Sequence, residues 1–116
     1  MNGDEGRGIW RREPAGSAPP GASIRVLGGF YEGLEVSVDR DWLVIGRGRS
    51  ADLVIAEPTI SRSHAAVGWD GESFFVQDLG STNGTRVNGS RESRKPLGDG
   101  DDVQLGRLQL RFRRAS

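Results

Sequence analysis

The chain has 116 residues, 34% of them hydrophobic, with 18 glycines and no cysteine. That length suits one domain with a single modest core. A disulfide framework and thiolate chemistry are excluded, and no apolar run approaches the ~20 residues a membrane-spanning helix needs. Sixteen basic residues balance sixteen acidic ones, which lacks the basic excess of a general nucleic-acid binder. A single histidine, His64, argues against a His-based metal site. The first residues carry no apolar leader segment, so a reducing, cytoplasmic location is the expectation.

In chain order, residues 1–22 are rich in Gly, Pro and charge and show no period. They read as a disordered tail, with Ile9 and Trp10 its large apolar groups. Residues 23–114 read as one folded domain. "SIRVL" alternates from Ser23 and stops at Gly28-Gly29; "LEVSV" (34–38) alternates again. "WLVI" (42–45) is a continuous apolar run ending at Gly46, and "LVI" (53–55) stops before Pro58. "AAVGW" (65–69) leads to the turn signal Asp70-Gly71, then "SFFVQDL" (73–79) is rich in β formers. "TRV" (85–87) lies between two Asn-Gly pairs, and "DVQL" (102–105) and "LQLRF" (108–112) close the chain on either side of Gly106. Short strands at regular spacing, with Gly, Asn or Asp between them, predict an all-β sandwich or barrel. Trp42, Val44, Phe75 and Phe112 are expected to be hidden by the two sheets.

Three stretches carry candidate chemistry. "IGRGRSADLVI" (45–55) sets Arg47 directly after a strand end, at the rim where sandwich loops cluster. It matches neither a P-loop nor a dinucleotide fingerprint, since no Gly-Lys-Ser/Thr and no helix follow. "PTISRSHAAV" (58–67) brings Ser61, Arg62 and Ser63 just ahead of His64. A Ser–His hydrolase lacks a nucleophile elbow and an orienting acid here, so no catalytic residue is assigned, and His64 reads as a buried, hydrogen-bonded support. "LGSTNGTRVNG" (79–89) packs two Asn-Gly pairs and the hydroxyls of Ser81, Thr82 and Thr85 into one string, more short polar groups than a turn requires. The acidic cluster Asp99, Asp101 and Asp102 lacks the spacing of a calcium loop and reads as a turn, so no metal and no cofactor are expected.

Taken together, Gly46-Arg47, Ser61-Arg62-x-His64, the Leu79–Gly89 string and the closing "LGDGDDVQLG" resemble the forkhead-associated (FHA) domain, a phosphothreonine-binding module, over roughly residues 24–112. The resemblance implies a sandwich of about eleven short strands with ligand loops at one end. It implies that Arg47, Ser61, Arg62 and Thr82 meet a phosphate, and that Asn83 bonds the peptide backbone beside the phosphothreonine. Gly46 would allow the turn presenting Arg47, His64 would brace the loop from beneath, and Gly84 would support the site. The chemistry agrees: a phosphate carries about −1.5 to −2 charges and three acceptor oxygens, which suits a guanidinium fork with short hydroxyl donors. The hydroxyls of the 79–89 string and Asn83 would then line one side of a slot, and Asn88-Gly89 would be a plain hairpin turn. The implied function is a non-enzymatic signalling adaptor that recruits proteins phosphorylated by Ser/Thr kinases. It would act as a monomer, without nucleic acid or membrane insertion. The alternative is an FHA scaffold working as a phosphorylation-independent interaction or assembly domain. Arg49 and Arg86 leave open an acidic preference in the ligand.

Overall fold

A computed structural model describes residues 17–115, and among them there are eleven strands and no helix. They are β1 (Ser23–Val26), β2 (Glu35–Ser37), β3 (Leu43–Gly46), β4 (Leu53–Val54), β5 (Ala65–Trp69), β6 (Phe74–Asp78), β7 (Thr85–Val87), β8 (Ser90–Arg91), β9 (Arg94–Leu97), β10 (Asp102–Leu105) and β11 (Leu108–Arg113). Six form one sheet in the order β2-β1-β11-β10-β7-β8, and five form the other in the order β4-β3-β5-β6-β9. Every pairing is antiparallel except β3 with β4. The expected all-β sandwich is therefore the observed fold.

Alternation along the strands sorts core from surface. Ile24 and Val26 of β1, Leu43 and Ile45 of β3, Phe74 and Val76 of β6, and Leu108, Leu110 and Phe112 of β11 share the core between the sheets. One expectation is corrected here. Phe112 is in the core, but Val44 and Phe75 fall on the opposite side of their strands from Leu43, Ile45 and Phe74, and Trp42, just before β3, lies outside the core cluster as well. Phe75 is still only 3% exposed, because Trp42 packs beside it at 6.0 Å between ring centroids and the Arg94 guanidinium lies 3.9 Å over its ring. Period-2 alternation puts adjacent residues on opposite faces, and "FF" alone does not say which phenylalanine turns inward.

Two strands were not legible as strands: β8 and β9. Their sequences, "SR" and "RKPL", are polar and contain a proline. Both lie at sheet edges, where charged side chains and proline are tolerated. Of the expected tail, residues 1–16 lie outside the described residues. Residues 17–22 are described: Ala22 is buried in the core, Ala18 packs partly against it, and the Gly21 carbonyl accepts a bond from Ala115 N at 3.1 Å. Packing thus reaches into the stretch read as tail. The acidic cluster forms turn and ladder contacts: Asp101 accepts from Gly98 N at 2.8 Å, Asp99 pairs with Arg113 and Asp102 with Arg111.

The loops that follow β3, β4, β6 and β10 meet at one end. Arg47 N donates to Ser61 O at 3.0 Å, Thr82 N to Ser61 Oγ at 3.1 Å, Asn83 Nδ2 to Thr59 O at 2.8 Å, and Arg107 N to Thr59 Oγ1 at 2.7 Å.

Candidate functional site

Gly46 ends β3 in a place where no side chain fits: a Cβ there would run into the Arg62 carbonyl. Its φ is not in the left-handed region, so the expectation that Gly46 serves a turn is corrected. It serves close approach. The strand end can then lie against the 61–62 backbone, where Arg47 N bonds Ser61 O and Gly48 N bonds Arg62 O at 3.1 Å. The Arg47 side chain doubles back so that Nε donates to Ile60 O at 3.0 Å. That single bond orients the planar fork while the residue stays exposed. Among the described residues the two terminal nitrogens have no hydrogen-bond or ion-pair partner, so they are available to an anion.

His64 is 0% exposed and joins two loops. The Ser61 backbone N–H donates to Nδ1 at 3.1 Å, and Nε2 lies 2.8 Å from Gly84 O. A backbone N–H can only donate and a carbonyl can only accept. The pair of contacts therefore fixes the tautomer with its proton on Nε2. Both ring nitrogens are engaged by backbone, and neither faces the Ser61 hydroxyl. That hydroxyl instead accepts from Thr82 N, which leaves its own proton for an outside acceptor. The arrangement offers no Ser–His dyad.

The 79–84 loop is organised by a residue that the sequence reading missed. Asp78, at the end of β6, accepts four bonds: Gly80 N and Ser81 N at 3.0 Å each, Ser81 Oγ at 2.6 Å, and Thr85 Oγ1 at 2.7 Å. Burial pushes this carboxyl up, but the hydroxyls of Ser81 and Thr85 and the two backbone donors outweigh it, and the net shift is down from the ordinary aspartate value. Ser81 Oγ in turn accepts from Gly84 N at 2.9 Å. So two of the three hydroxyls in the 79–89 string face Asp78, which corrects the expectation that all of them line a slot. Thr82 remains exposed beside Ser61. The available signal was Asp78 with Ser81 three residues on, the spacing of an Asx-type turn.

Asn83 is exposed, and its amide nitrogen already holds the Thr59 carbonyl. Its Oδ1 accepts nothing from the described residues. Thr59 is the hinge of this side: its hydroxyl donates to Glu57 Oε2 at 2.5 Å and accepts from Arg107 N. Those bonds, first the Thr59 hydroxyl and then its N–H, hold the Glu57 carboxyl below its usual value. Arg62 is exposed and has no ion-pair partner among the described residues. Gly84 is buried with φ +85°, and its carbonyl is the acceptor for His64. Arg47, Ser61, Arg62, Thr82 and Asn83 thus stand on three adjoining loops, with Gly46, His64 and Gly84 beneath them.

A family model described as the FHA domain matches residues 43–106. The chain belongs to the FHA-domain family. It is 33% identical over 102 residues to the oxoglutarate dehydrogenase inhibitor of Corynebacterium jeikeium (strain K411), covering 85% of this chain and 71% of that one. It is 39% identical over 67 residues to the FHA domain-containing protein FhaA of Mycobacterium tuberculosis (strain ATCC 25618 / H37Rv), covering 58% of this chain but 13% of FhaA. The FhaA FHA domain, solved in complex with the intracellular domain of Rv3910, superposes with a TM-score of 0.72 at 32% identity over 79% of this chain and 99% of that one. A structure from a structural and functional analysis of phosphothreonine-dependent FHA domain interactions gives a TM-score of 0.72 at 29% identity, over 83% and 98% of the two chains.

Proposed function

We propose that this FHA domain is a phosphothreonine-peptide-binding adaptor, and that Arg47, Ser61, Arg62, Thr82 and Asn83 make the contacts. The observation that carries the reading is the meeting of three loops around one outward-facing set of donors. Arg47's fork is aimed by its Nε bond to Ile60 O, the Ser61 hydroxyl keeps its proton for an acceptor, and His64 ties the loops together below. A dianionic phosphate with three acceptor oxygens matches one fork plus hydroxyl and backbone donors. Asn83 Oδ1 suits a backbone N–H of the bound peptide.

Phosphothreonine-dependent interaction in a similar solved FHA domain supports the ligand class, and a relative named as an enzyme inhibitor supports a regulatory, non-catalytic role. The engagement of both His64 nitrogens by backbone supports the same conclusion. Balanced charge speaks against a nucleic-acid ligand. All five candidate contact residues lie on one copy, which supports a domain that acts as a monomer and recruits the product of a Ser/Thr kinase.

Calorimetric titration of one phosphothreonine peptide and its unphosphorylated twin tests the reading. The phosphorylated form is expected to bind in the micromolar range, about −8 kcal/mol, and the twin at least about a hundredfold worse. Arg47→Ala is expected to lose about 1.5–3 kcal/mol of binding at unchanged melting temperature. Equal binding of the two peptides would overturn the reading in favour of a phosphorylation-independent interaction domain.

A further inference from the structure

Arg86 and Arg91 stand directly opposite each other on the antiparallel β7–β8 pair. Like charges in that position repel and lower stability. Neither has an ion-pair partner among the described residues, whereas Arg94, Arg111 and Arg113 each have one. Arg86 makes one long contact, to Gly89 O at 3.5 Å. Arg91 is exposed, and its guanidinium lies against Gly84: a Cβ built on that glycine would sit 2.8 Å from both Cζ and Nε. An uncompensated cation therefore runs along the loop that presents Thr82 and Asn83, one residue past Asn83.

We propose that Arg91, with Arg86 beside it on the same sheet face, reads a second anion on the phosphothreonine ligand, either a carboxylate or a second phosphate. The inference rests on the phosphopeptide reading above. A peptide held at Asn83 in an extended form advances about 3.3 Å per residue, so its flanking side chains pass Gly84 and the guanidinium over it. In the proposed binding mode the phosphothreonine meets Arg47, Ser61, Arg62 and Thr82, where Thr82 N donates to Ser61 Oγ. Among the described residues the Arg91 guanidinium packs on Gly84 and has no hydrogen-bond or ion-pair partner. An anion seated on it would gain a fork-shaped partner and relieve the Arg86–Arg91 repulsion. Arg91 is exposed, so the gain is modest in size and sensitive to salt.

The test is calorimetry with an alanine-flanked phosphothreonine peptide and a set carrying a single Glu, or a single phosphoserine, at each flanking position in turn. The parent domain is expected to bind at least one substituted peptide about fivefold tighter than the alanine-flanked one, with the gain shrinking as salt rises. A gain from Glu assigns a carboxylate, and one from phosphoserine alone assigns a phosphate. Arg91→Gln is expected to abolish the gain while holding the alanine-flanked affinity within about twofold, with a melting temperature equal to or above the parent's. Arg91→Lys should keep part of it. Uniform binding across the set, a gain that survives Arg91→Gln, or equal loss for all peptides in Arg91→Gln overturns this inference alone. Failure of the parent to bind any phosphopeptide overturns the underlying reading as well.

Discussion

Asn-Gly occurs at 83–84 and again at 88–89, and the two corners differ in almost every physical respect. Asn88 and Gly89 both have positive φ, 50° and 89°, the type I′ geometry that joins β7 to β8. Gly89 is exposed, and a Cβ there would meet nothing within 4 Å. The Asn88 amide latches the β9–β10 turn, donating to Asp101 Oδ1 at 3.0 Å and accepting from Asp102 N at 2.9 Å. At the first corner only Gly84 has positive φ. It is buried, bound by His64 from below and overlaid by Arg91. Asn83 reaches sideways to another loop. The same dipeptide closes a hairpin in one place and holds a loop of the candidate site in the other. What separates them is the chain that approaches from elsewhere.

The strongest way to sharpen this contrast is His64→Ala, which touches the first corner alone. It leaves the Ser61 N–H without its partner, at about 1–3 kcal/mol, and leaves Gly84 C=O only the longer bond from Gly106 N at 3.4 Å. Melting temperature and phosphopeptide affinity are expected to fall together, as thermal denaturation and titration on one preparation will show. Survival of the parental melting point with all binding lost would make His64 a direct contact instead of a brace.

Gly84→Ala against Gly89→Ala comes next. Both substitutions force an L side chain into left-handed backbone, at about 1–2 kcal/mol, so both lower stability. Only Gly84→Ala also strains backbone next to Asn83, with its Cβ 2.8 Å from the Arg91 guanidinium, so only it is expected to lose affinity. The contrast breaks if Gly89→Ala weakens binding as much.

Asn83→Ala against Asn88→Ala separates the side chains. The first is expected to lower phosphopeptide affinity by about 1 kcal/mol with little change in melting temperature. The second is expected to lower stability by a similar amount and leave affinity unchanged. A stability loss in Asn83→Ala larger than that in Asn88→Ala would mean that the Thr59 bond chiefly holds the fold.

The smallest expected effect is an acid dependence that belongs to the first corner through Asp78. Its folded value lies below the ordinary aspartate value, which is about 3.9 in an unfolded chain. Its contribution to stability is therefore complete well above that pH. It is lost as pH falls through the lower, folded value. Acid titration of stability should show this loss in the parent and a flatter curve in Asp78→Asn. Affinity should weaken earlier, below about pH 6, where the ligand's phosphate takes up its second proton.

Nine of the eleven strands were legible in the sequence, because alternation and Gly, Asn or Asp punctuation are local properties. The edge strands β8 and β9 were not, since pairing with β7 and β6 makes them strands despite Arg91, Arg94, Lys95 and Pro96. The residues of the candidate site stood out too, as types at the spacing that resembles the FHA domain. Why each is needed was less so. Gly46 looked like a turn residue and is a packing gap beside the Arg62 carbonyl. Ser81 and Thr85 looked like ligand groups and belong to Asp78.

The sequence by itself determined the class of fold and the hairpin at Asn88-Gly89, which follow from backbone preference within a few residues, while the candidate phosphate-facing side chains came from the resemblance of its spaced motifs to the FHA domain. Only the tertiary structure decided that Phe74 and not Phe75 enters the core. It alone decided that His64 joins Ser61 to Gly84, and that Arg91 lies over the loop beside Asn83. Those outcomes depend on which distant backbone arrives at a given atom, and hydrogen bonds and packing contacts act over a few ångströms whatever the separation along the chain.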